Sequence, residues 1–224
     1  MKHQYFPFQS RTSIHVIFAA LLCLLLFSAS NVTAQNRTGE DGYGLSIGTG
    51  YDVPVGNLSY TFKPATTYDF SLYEYRNGFT GSISFGYHVY KPKQDTFYYA
   101  VDATNYGTTV YQNFTMYSFY LGGAYNLKLT DDLWAYAGIN FGVYFTHFMY
   151  TSADEYEVPT DNLNLQDFYF APKIGFNYLI GDHFAVGVEG KYNSFMPTGQ
   201  SDEDPLVGTV YSSYAVTFIA TYNF

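Results

Sequence analysis

The stretch "SSYAVTFIATYNF", residues 212–224, alternates large and small side chains up to its final residue. Rings and aliphatic side chains occupy one face, which runs from Tyr214 through Phe218 to Phe224. The opposite face carries mostly small or polar side chains, such as that of Thr217. Because successive side chains of a β-strand point to opposite faces, this period of two predicts a strand with one apolar face.

The same alternation recurs through most of the chain, and no long stretch shows the period of an amphipathic helix. In "HFAVGVEGKY" (183–192), for example, Phe184 and Val188 alternate with Ala185 and Glu189. Eight strands are predicted in all: 43–51, 67–75, 79–90, 114–127, 133–149, 168–180, 183–192 and 211–224. The chain of 224 residues is long enough for one domain of ordinary size.

The gaps between the predicted strands alternate between long and short. The short gaps are 76–78, 128–132 and 181–182, and the long gaps are 52–66, 91–113, 150–167 and 193–210. In an up-and-down arrangement all short gaps fall at one end of the sheet and all long gaps at the other. This asymmetry is typical of a transmembrane β-barrel with short periplasmic turns and long extracellular loops. The sequence therefore predicts an all-β fold, an eight-stranded antiparallel up-and-down transmembrane β-barrel.

The size of such a barrel decides which face points outward. Eight strands enclose a lumen barely wide enough for their own side chains, so the bulky residues cannot all lie inside. The chain contains 26 Tyr and 21 Phe but only 13% charged residues, whereas an average soluble domain has about 25% charged residues. We therefore expect the rings to face lipid, and a lumen of mostly Gly, Ser, Ala, Thr and Asn. Two tyrosine girdles are expected at the membrane interfaces: Tyr43, Tyr125 and Tyr222 near the turns, and Tyr51, Tyr87, Tyr192 and Tyr214 near the loops.

Residues 1–34 have the features of a cleaved signal peptide. Lys2 and Arg11 precede the short apolar run 14–27, and a small-residue pattern predicts cleavage between Ala34 and Gln35. The barrel domain then comprises residues 35–224.

Composition limits the chemistry of this domain. The only cysteine, Cys23, lies in the predicted signal peptide, which excludes disulfides and thiolate metal sites from the mature chain. Loss of Lys2 and Arg11 changes the formal charge from −9 to −11. Such an acidic domain is not expected to bind nucleic acid.

The final strand resembles the C-terminal signal of bacterial outer-membrane proteins, in which a terminal aromatic residue follows alternating apolar residues. Phe218, Tyr222 and Phe224 match that pattern. In size and topology the mature chain is similar to the OmpA-like and OmpX-like barrels. The resemblance implies recognition by the barrel assembly machinery, outer-membrane lipid around the domain, and both termini in the periplasm. A closed barrel also needs its last strand to pair with its first, because lipid tolerates no open sheet edge.

Four charged residues are predicted to lie in the lumen. They are Asp69, Lys173, Glu189 and Lys191, and the last three share a hairpin and a face. Charges in a narrow barrel are costly unless they are paired and hydrogen-bonded. The favoured interpretation is a polar network of ion pairs that fills the barrel. The alternative is a selectivity filter of a narrow porin-like channel.

The mature chain offers little for catalysis. Its histidines are His88, His147 and His183. Lipid-modifying barrel enzymes need His, Ser and a carboxylate at the rim, and no Ser or acid lies two residues from His147 on the same face. The sequence predicts no catalytic residue, no cofactor and no metal site.

The long gaps differ in composition. Residues 153–162 and 201–205 are acidic without the ligand spacing of a calcium loop, which favours a solvated surface. Residues 95–113 are rich in aromatics and nearly uncharged, which indicates either a contact surface or an outer extension of strands three and four.

We therefore expect a non-enzymatic outer-membrane barrel with a structural or surface-contact role through four long loops, with a protein partner at those loops. Three alternatives are an accessory subunit of a secretion or assembly complex, a narrow channel, and a lipid-modifying enzyme.

Overall fold

The computed structural model describes residues 41–100, 106–153, 160–196 and 210–224. The chain divides into two units, Met1–Gln35 and Asn36–Phe224, and every described residue belongs to the second. The predicted signal peptide and its predicted cleavage site at Ala34 and Gln35 lie outside the described residues. The strands are β1 Gly42–Val55, β2 Ala65–Arg76, β3 Phe79–Tyr90, β4 Phe97–Ala100, β5 Tyr106–Tyr111, β6 Phe114–Lys128, β7 Leu133–Ala153, β8 Thr160–Ile180, β9 Phe184–Met196 and β10 Tyr211–Asn223, and one short helix, α1, spans Asn57–Thr61.

Eight of these strands form a closed antiparallel barrel. The order around the barrel is β1, β2, β3, β6, β7, β8, β9 and β10. β10 pairs with β1 from Ser212 opposite Val55 to Asn223 opposite Gly44, which closes the ring. The structure confirms the predicted eight-stranded barrel and the predicted pairing of the last strand with the first.

Three tight connections define one end of the barrel, here called the turn end. Asn77 and Gly78 join β2 to β3 with φ of 51° and 82°, the left-handed conformations that a two-residue hairpin requires. Gly181, with φ of 70°, occupies the equivalent turn between β8 and β9. The connection between β6 and β7 closes with a hydrogen bond of 2.9 Å from the Leu129 N–H to the Leu133 carbonyl. The opposite end is called the loop end.

The outer face of the barrel is apolar. Phe141, Phe176 and Phe218 are 54%, 54% and 64% exposed, whereas Ser84 and Glu189 are only 3% and 6% exposed. The predicted orientation, with rings outward and polar residues inward, is confirmed. In the described residues no helix is long and apolar enough to cross a membrane.

The interior is bulkier than predicted. The inward face was expected to carry mostly small side chains, but it also holds large buried rings: Tyr73, Tyr90, Tyr120, Tyr136, Tyr144, Tyr169 and Phe195. Glycine, serine and alanine on neighbouring strands leave room for these rings, so large and small residues interdigitate across the lumen.

The loop end of the barrel is closed by an apolar plug. The first long loop turns inward at α1, and Leu58 and Phe62 are 1% and 0% exposed. The Phe62 ring centroid lies 5.3 Å from that of Phe114 and 6.2 Å from that of Tyr111. The plug belongs to one cluster of buried residues: Leu58, Phe62, Ala65, Tyr90, Phe114, Met116, Tyr120, Tyr144, Tyr169, Ala171, Phe195 and Tyr211.

A sheet projects from the loop end. β7 continues to Ala153 and β8 begins at Thr160, so both strands are longer than the predicted segments 133–149 and 168–180. The β4–β5 hairpin adds to this extension, because β5 pairs with β7 between Thr108–Ala153 and Tyr111–Tyr150. The described part of residues 95–113 therefore forms the predicted outer extension, and its role as a contact surface stays a prediction.

Candidate functional site

The four charged residues predicted for the lumen meet inside the barrel. The Lys191 Nζ atom donates to the Asp69 Oδ2 atom at 2.8 Å, and it also lies 3.8 Å from the Glu189 Oε1 atom. The Lys173 Nζ atom lies 3.5 Å from the Glu189 Oε2 atom. Two carboxylates and two ammonium groups thus form one neutral, buried network.

Tyrosine hydroxyl groups complete this network. Tyr120 donates to the Asp69 Oδ1 atom at 2.8 Å, and Tyr136 donates to the Glu189 Oε2 atom at 2.9 Å. Each carboxylate therefore accepts a hydrogen bond from a phenol and lies beside at least one ammonium group. A buried ion pair is stable only when its remaining hydrogen-bonding capacity is satisfied in this way.

Glycines on neighbouring strands make room for the network. Asp69 lies opposite Gly86 in the β2–β3 register, and a Cβ atom at Gly86 would lie 3.2 Å from the Asp69 Oδ1 atom. A Cβ atom at Gly175 would overlap the ring of Tyr136, which holds Glu189. The positions of these charges therefore depend on the residues opposite them.

A second polar network, which the predicted strand bounds do not include in full, lies nearer the loop end. The Asp52 Oδ2 atom lies 2.9 Å from the His88 Nδ1 atom and accepts hydrogen bonds from Tyr90 at 2.9 Å and Asn193 at 3.1 Å. Asn193 also donates to the Ser213 Oγ atom at 3.0 Å. Asp52 lies at the start of the predicted gap 52–66, although it shares the inward parity of Gly48 and Gly50. That parity was the signal that could have found it.

A polar cavity of about 80 Å³ occupies the lumen on the turn-end side. Asp69, Lys173 and Glu189 form part of its wall. Asn140 and Thr217 also line it, and each presents a buried side-chain oxygen that no described group satisfies. Since one water needs roughly 10–15 Å³ of such space, the cavity has room for several waters that would satisfy these atoms.

Four successive layers of side chains line or fill the interior of the barrel. From the turn end inward, a polar cavity leads to the ion-pair network, then to the Asp52 network, and then to the apolar plug. Among the described residues, no group of three or more His, Cys, Asp or Glu is arranged to hold a metal ion.

The remaining predicted residues lie elsewhere. His147 is exposed, opposite Thr115 on β6 and Asn164 on β8. Residues 154–159 and 201–205, which carry most of the acidic loop charge, lie outside the described residues. Phe218, Tyr222 and Phe224 are 64%, 39% and 50% exposed on the outer face, and the Phe224 N–H donates to the Tyr43 carbonyl at 2.9 Å. Their role as an assembly signal stays a prediction.

The barrel is similar to known structures, although no protein-family model and no curated protein matches the sequence. The structure of Neisserial surface protein A superposes with a TM-score of 0.52 at 11% identity, covering 85% of this chain and 100% of that one. The chain has the fold of a small outer-membrane β-barrel. Ail, the attachment invasion locus protein of Yersinia pestis, gives a TM-score of 0.46 at 13% identity, over 83% of this chain and 99% of that one. The outer-membrane enzyme PagL gives a TM-score of 0.40 at 14% identity, over 79% of this chain and 97% of that one. Since one fold serves many functions, the role must be argued from this barrel's own residues.

Proposed function

We propose that the chain is an integral protein of a bacterial outer membrane, with its turn end in the periplasm and its loop end outside the cell. The exposed apolar outer face carries this proposal. Tyr125 and Tyr117 lie eight residues apart on β6, which corresponds to about 27 Å along a strand. At a tilt of about 40° this spacing covers about 20 Å of the barrel axis, close to the apolar height of known barrels.

The pairing of the aromatic rings supports the same membrane position. At the loop-end level, Tyr68, Tyr87 and Tyr117 lie side by side on three neighbouring strands. At the turn-end level, Phe79 lies opposite Tyr125 with ring centroids 5.1 Å apart. Aromatic rings at these two levels fit the interfacial belts of membrane proteins.

We infer that the projecting sheet makes contacts outside the cell. Within the described part of the chain, β4 pairs only with β5, so its outer edge offers free backbone groups to an added strand. Tyr98 and Tyr106 on the hairpin are 73% and 72% exposed, and Val110 is 42% exposed. An open edge beside exposed rings is the surface that best suits a protein partner.

The filled interior favours a contact role over conduction. Ion transfer would have to pass the 2.8 Å pair of Lys191 and Asp69 and then the plug at Leu58 and Phe62. The exposed His147 lies on the outer face, while the buried pair of His88 and Asp52 lies beneath the plug. We therefore propose a barrel that neither conducts nor catalyses.

Cysteine labelling tests the membrane position and orientation. Tyr98→Cys lies in the projecting hairpin, and Asp182→Cys lies in an exposed turn at the opposite end. A membrane-impermeant maleimide should label Tyr98→Cys on intact cells and Asp182→Cys only after the outer membrane is opened. The unlabelled protein should appear in the outer-membrane fraction with heat-modifiable migration. Equal labelling of both variants on intact cells, or a soluble protein, would contradict the proposal.

Site-specific photo-crosslinking tests the contact role. A photoreactive phenylalanine at Tyr98 samples the projecting hairpin, and the same residue at Tyr125 samples the lipid-facing surface. A discrete crosslinked protein from position 98 alone supports contact outside the cell. A stoichiometric crosslink from position 125 would instead favour an accessory subunit of a larger membrane complex.

A further inference from the structure

Three lysines at the loop end lie on two backbone segments that an isolated β-bridge joins. Phe62 and Pro92 form an antiparallel bridge next to the plug. The Lys63 N–H donates to the Lys91 carbonyl at 2.8 Å, and the Lys93 N–H donates to the Thr61 carbonyl at 2.8 Å. Neighbouring side chains alternate across such a bridge, so the three lysines lie on the side opposite Phe62. Exposure agrees with this geometry, since Phe62 is 0% exposed and all three lysines are exposed.

This lysine cluster, Lys63, Lys91 and Lys93, brings three positive charges together. Within the described ranges none of its ammonium groups forms a salt bridge, and the nearest acidic residue along the chain is Asp95. Lys63 and Lys91 also face each other across the bridge, and like charges in that position destabilise a strand pair. Such a cluster is unusual in a chain of net charge −9.

The lysine cluster lies at the edge of the lipid-facing surface. On β3 the outward row runs through Phe85, Tyr87 and Val89, and Lys91 is the next outward position. It follows Val89 by two residues, which is about 7 Å along the strand. A lysine at the end of a lipid-facing row extends its ammonium group into the headgroup layer.

We propose that the lysine cluster binds the phosphate groups of the phosphorylated glycolipid in the outer leaflet. This inference rests on the proposed function, which places the loop end outside the cell. Three ammonium groups on one face supply several charge-assisted donors to a compact anion. Bound phosphate would also neutralise the repulsion between Lys63 and Lys91. Glycolipid therefore stabilises the bridge that holds Phe62 in the plug.

Lipid binding to the refolded full-length barrel in detergent tests this inference. The probe is lipid A with two phosphates, counted on the protein by native mass spectrometry, with dephosphorylated lipid A as the matched lipid. Because each lysine in the headgroup layer adds to the binding of an anionic lipid, the variant Lys63→Gln/Lys91→Gln/Lys93→Gln should bind the phosphorylated lipid on the order of 100-fold more weakly. Phosphorylated lipid A should also raise the heat-unfolding midpoint of the unmodified protein.

Two control variants separate specific binding from general charge and from misfolding. Arg76→Gln/Lys128→Gln removes two basic residues near the turn end and should bind lipid A normally. Lys63→Arg/Lys91→Arg/Lys93→Arg keeps the charge and should retain binding. Heat-modifiable migration of every variant shows that each is folded.

Four outcomes would overturn the inference. The first is equal binding of phosphorylated and dephosphorylated lipid A, and the second is a loss of lipid A binding in the turn-end control as large as that in the lysine variant. The third is a rise in the unfolding midpoint with phosphatidylglycerol as large as that with phosphorylated lipid A, and the fourth is the same rise with inorganic phosphate alone. The cysteine labelling described above tests the membrane orientation independently. A protein that is correctly oriented but indifferent to lipid phosphate would therefore refute the lysine site and leave the proposed function standing.

Discussion

Lys191 and Asp69 are 122 residues apart in the chain, yet their side chains meet at 2.8 Å inside the barrel. The two side chains are only 2% and 10% exposed. They come from β9 and β2, which are not neighbours in the sheet, so the pair connects strands that share no backbone hydrogen bonds.

Breaking this pair from one side should cost more stability than removing it altogether. Lys191→Met leaves the Asp69 carboxylate buried without its ammonium partner, at an expected cost of about 3–5 kcal/mol in unfolding free energy. Lys191→Met/Asp69→Asn removes both charges and should recover much of that loss. Urea unfolding in vesicles, followed by heat-modifiable migration, measures both variants. A double variant as unstable as the single one would show that the pair contributes through packing alone.

The plug should contribute to stability without being the only barrier to ions. Phe62→Ala deletes a fully buried ring and should lower the unfolding free energy by about 3–5 kcal/mol. Tyr60→Ala, in α1 two residues before Phe62 but 76% exposed, is the matched control and should be nearly neutral. Planar-bilayer recordings of Phe62→Ala should stay silent, because the Lys191–Asp69 pair remains. Steady conductance from Phe62→Ala would identify the plug as the gate of a channel.

The contact between a tyrosine ring and a glycine should be sensitive to one methyl group. Gly175→Ala places a Cβ atom in the space of the Tyr136 ring, and it should destabilise the barrel by about 1–3 kcal/mol. Gly123→Ala, where an added Cβ atom meets nothing within 4 Å, is the control and should be tolerated. Unfolding midpoints of both variants in the same detergent provide the comparison. If the two variants had equal unfolding midpoints, the Tyr136 hydroxyl could lose its hydrogen bond to Glu189 with little loss of stability.

A charged residue on the outer face should lower the unfolding free energy more the deeper it lies in the bilayer. Leu121, opposite Ile83 and Phe141, lies midway between the two aromatic levels, and Tyr125 lies at the turn-end level. Leu121→Arg should cost about 2–4 kcal/mol in a bilayer, whereas Tyr125→Arg should cost about 0–1 kcal/mol. Reversible unfolding in phospholipid vesicles measures the difference. If both substitutions were harmless, the outer face would be facing water.

Phe224 should affect assembly more than final stability. Its ring is 50% exposed and its backbone N–H, which bonds to Tyr43, survives substitution. Phe224→Ala should therefore slow appearance of the folded form in cells while leaving the purified barrel almost as stable. Phe184→Ala, a 58% exposed ring at the same end but outside the predicted signal, should assemble at the normal rate. Equal delays in both variants would remove the reason to treat Phe224 as a recognition residue.

The barrel was predictable because the two-residue alternation of large and small side chains marks each strand in the sequence. Asp69, Lys173, Glu189 and Lys191 could be placed in the lumen because parity along each strand separates the two faces. The distances between their charged atoms could not be predicted, because these distances depend on the stagger between strands. That stagger is set by pairings such as Lys173 opposite Lys191.

The loop end was less predictable. Leu58 and Phe62 lie in a segment without periodicity, and only the closed barrel provides the mouth that they fill. Asp52 lies outside the predicted first strand, 43–51, because β1 continues to Val55. The large inward tyrosines were not predictable from the width of the lumen, because that width limits only the average size of the inward side chains. A ring fits where a glycine on a neighbouring strand leaves space for it, as Gly175 does for Tyr136.

The long β7–β8 pair has a mechanical consequence. Its hydrogen-bond ladder runs without a break from Leu133 opposite Tyr178, at the turn end, to Thr151 opposite Thr160 in the projecting sheet. A partner that pulls the projecting sheet away from the barrel would load both strands lengthwise along their backbones, while the ladder keeps them together. Tension would therefore pass through the membrane along two stiff strands, and the attachment should withstand flow better than a flexible tether would.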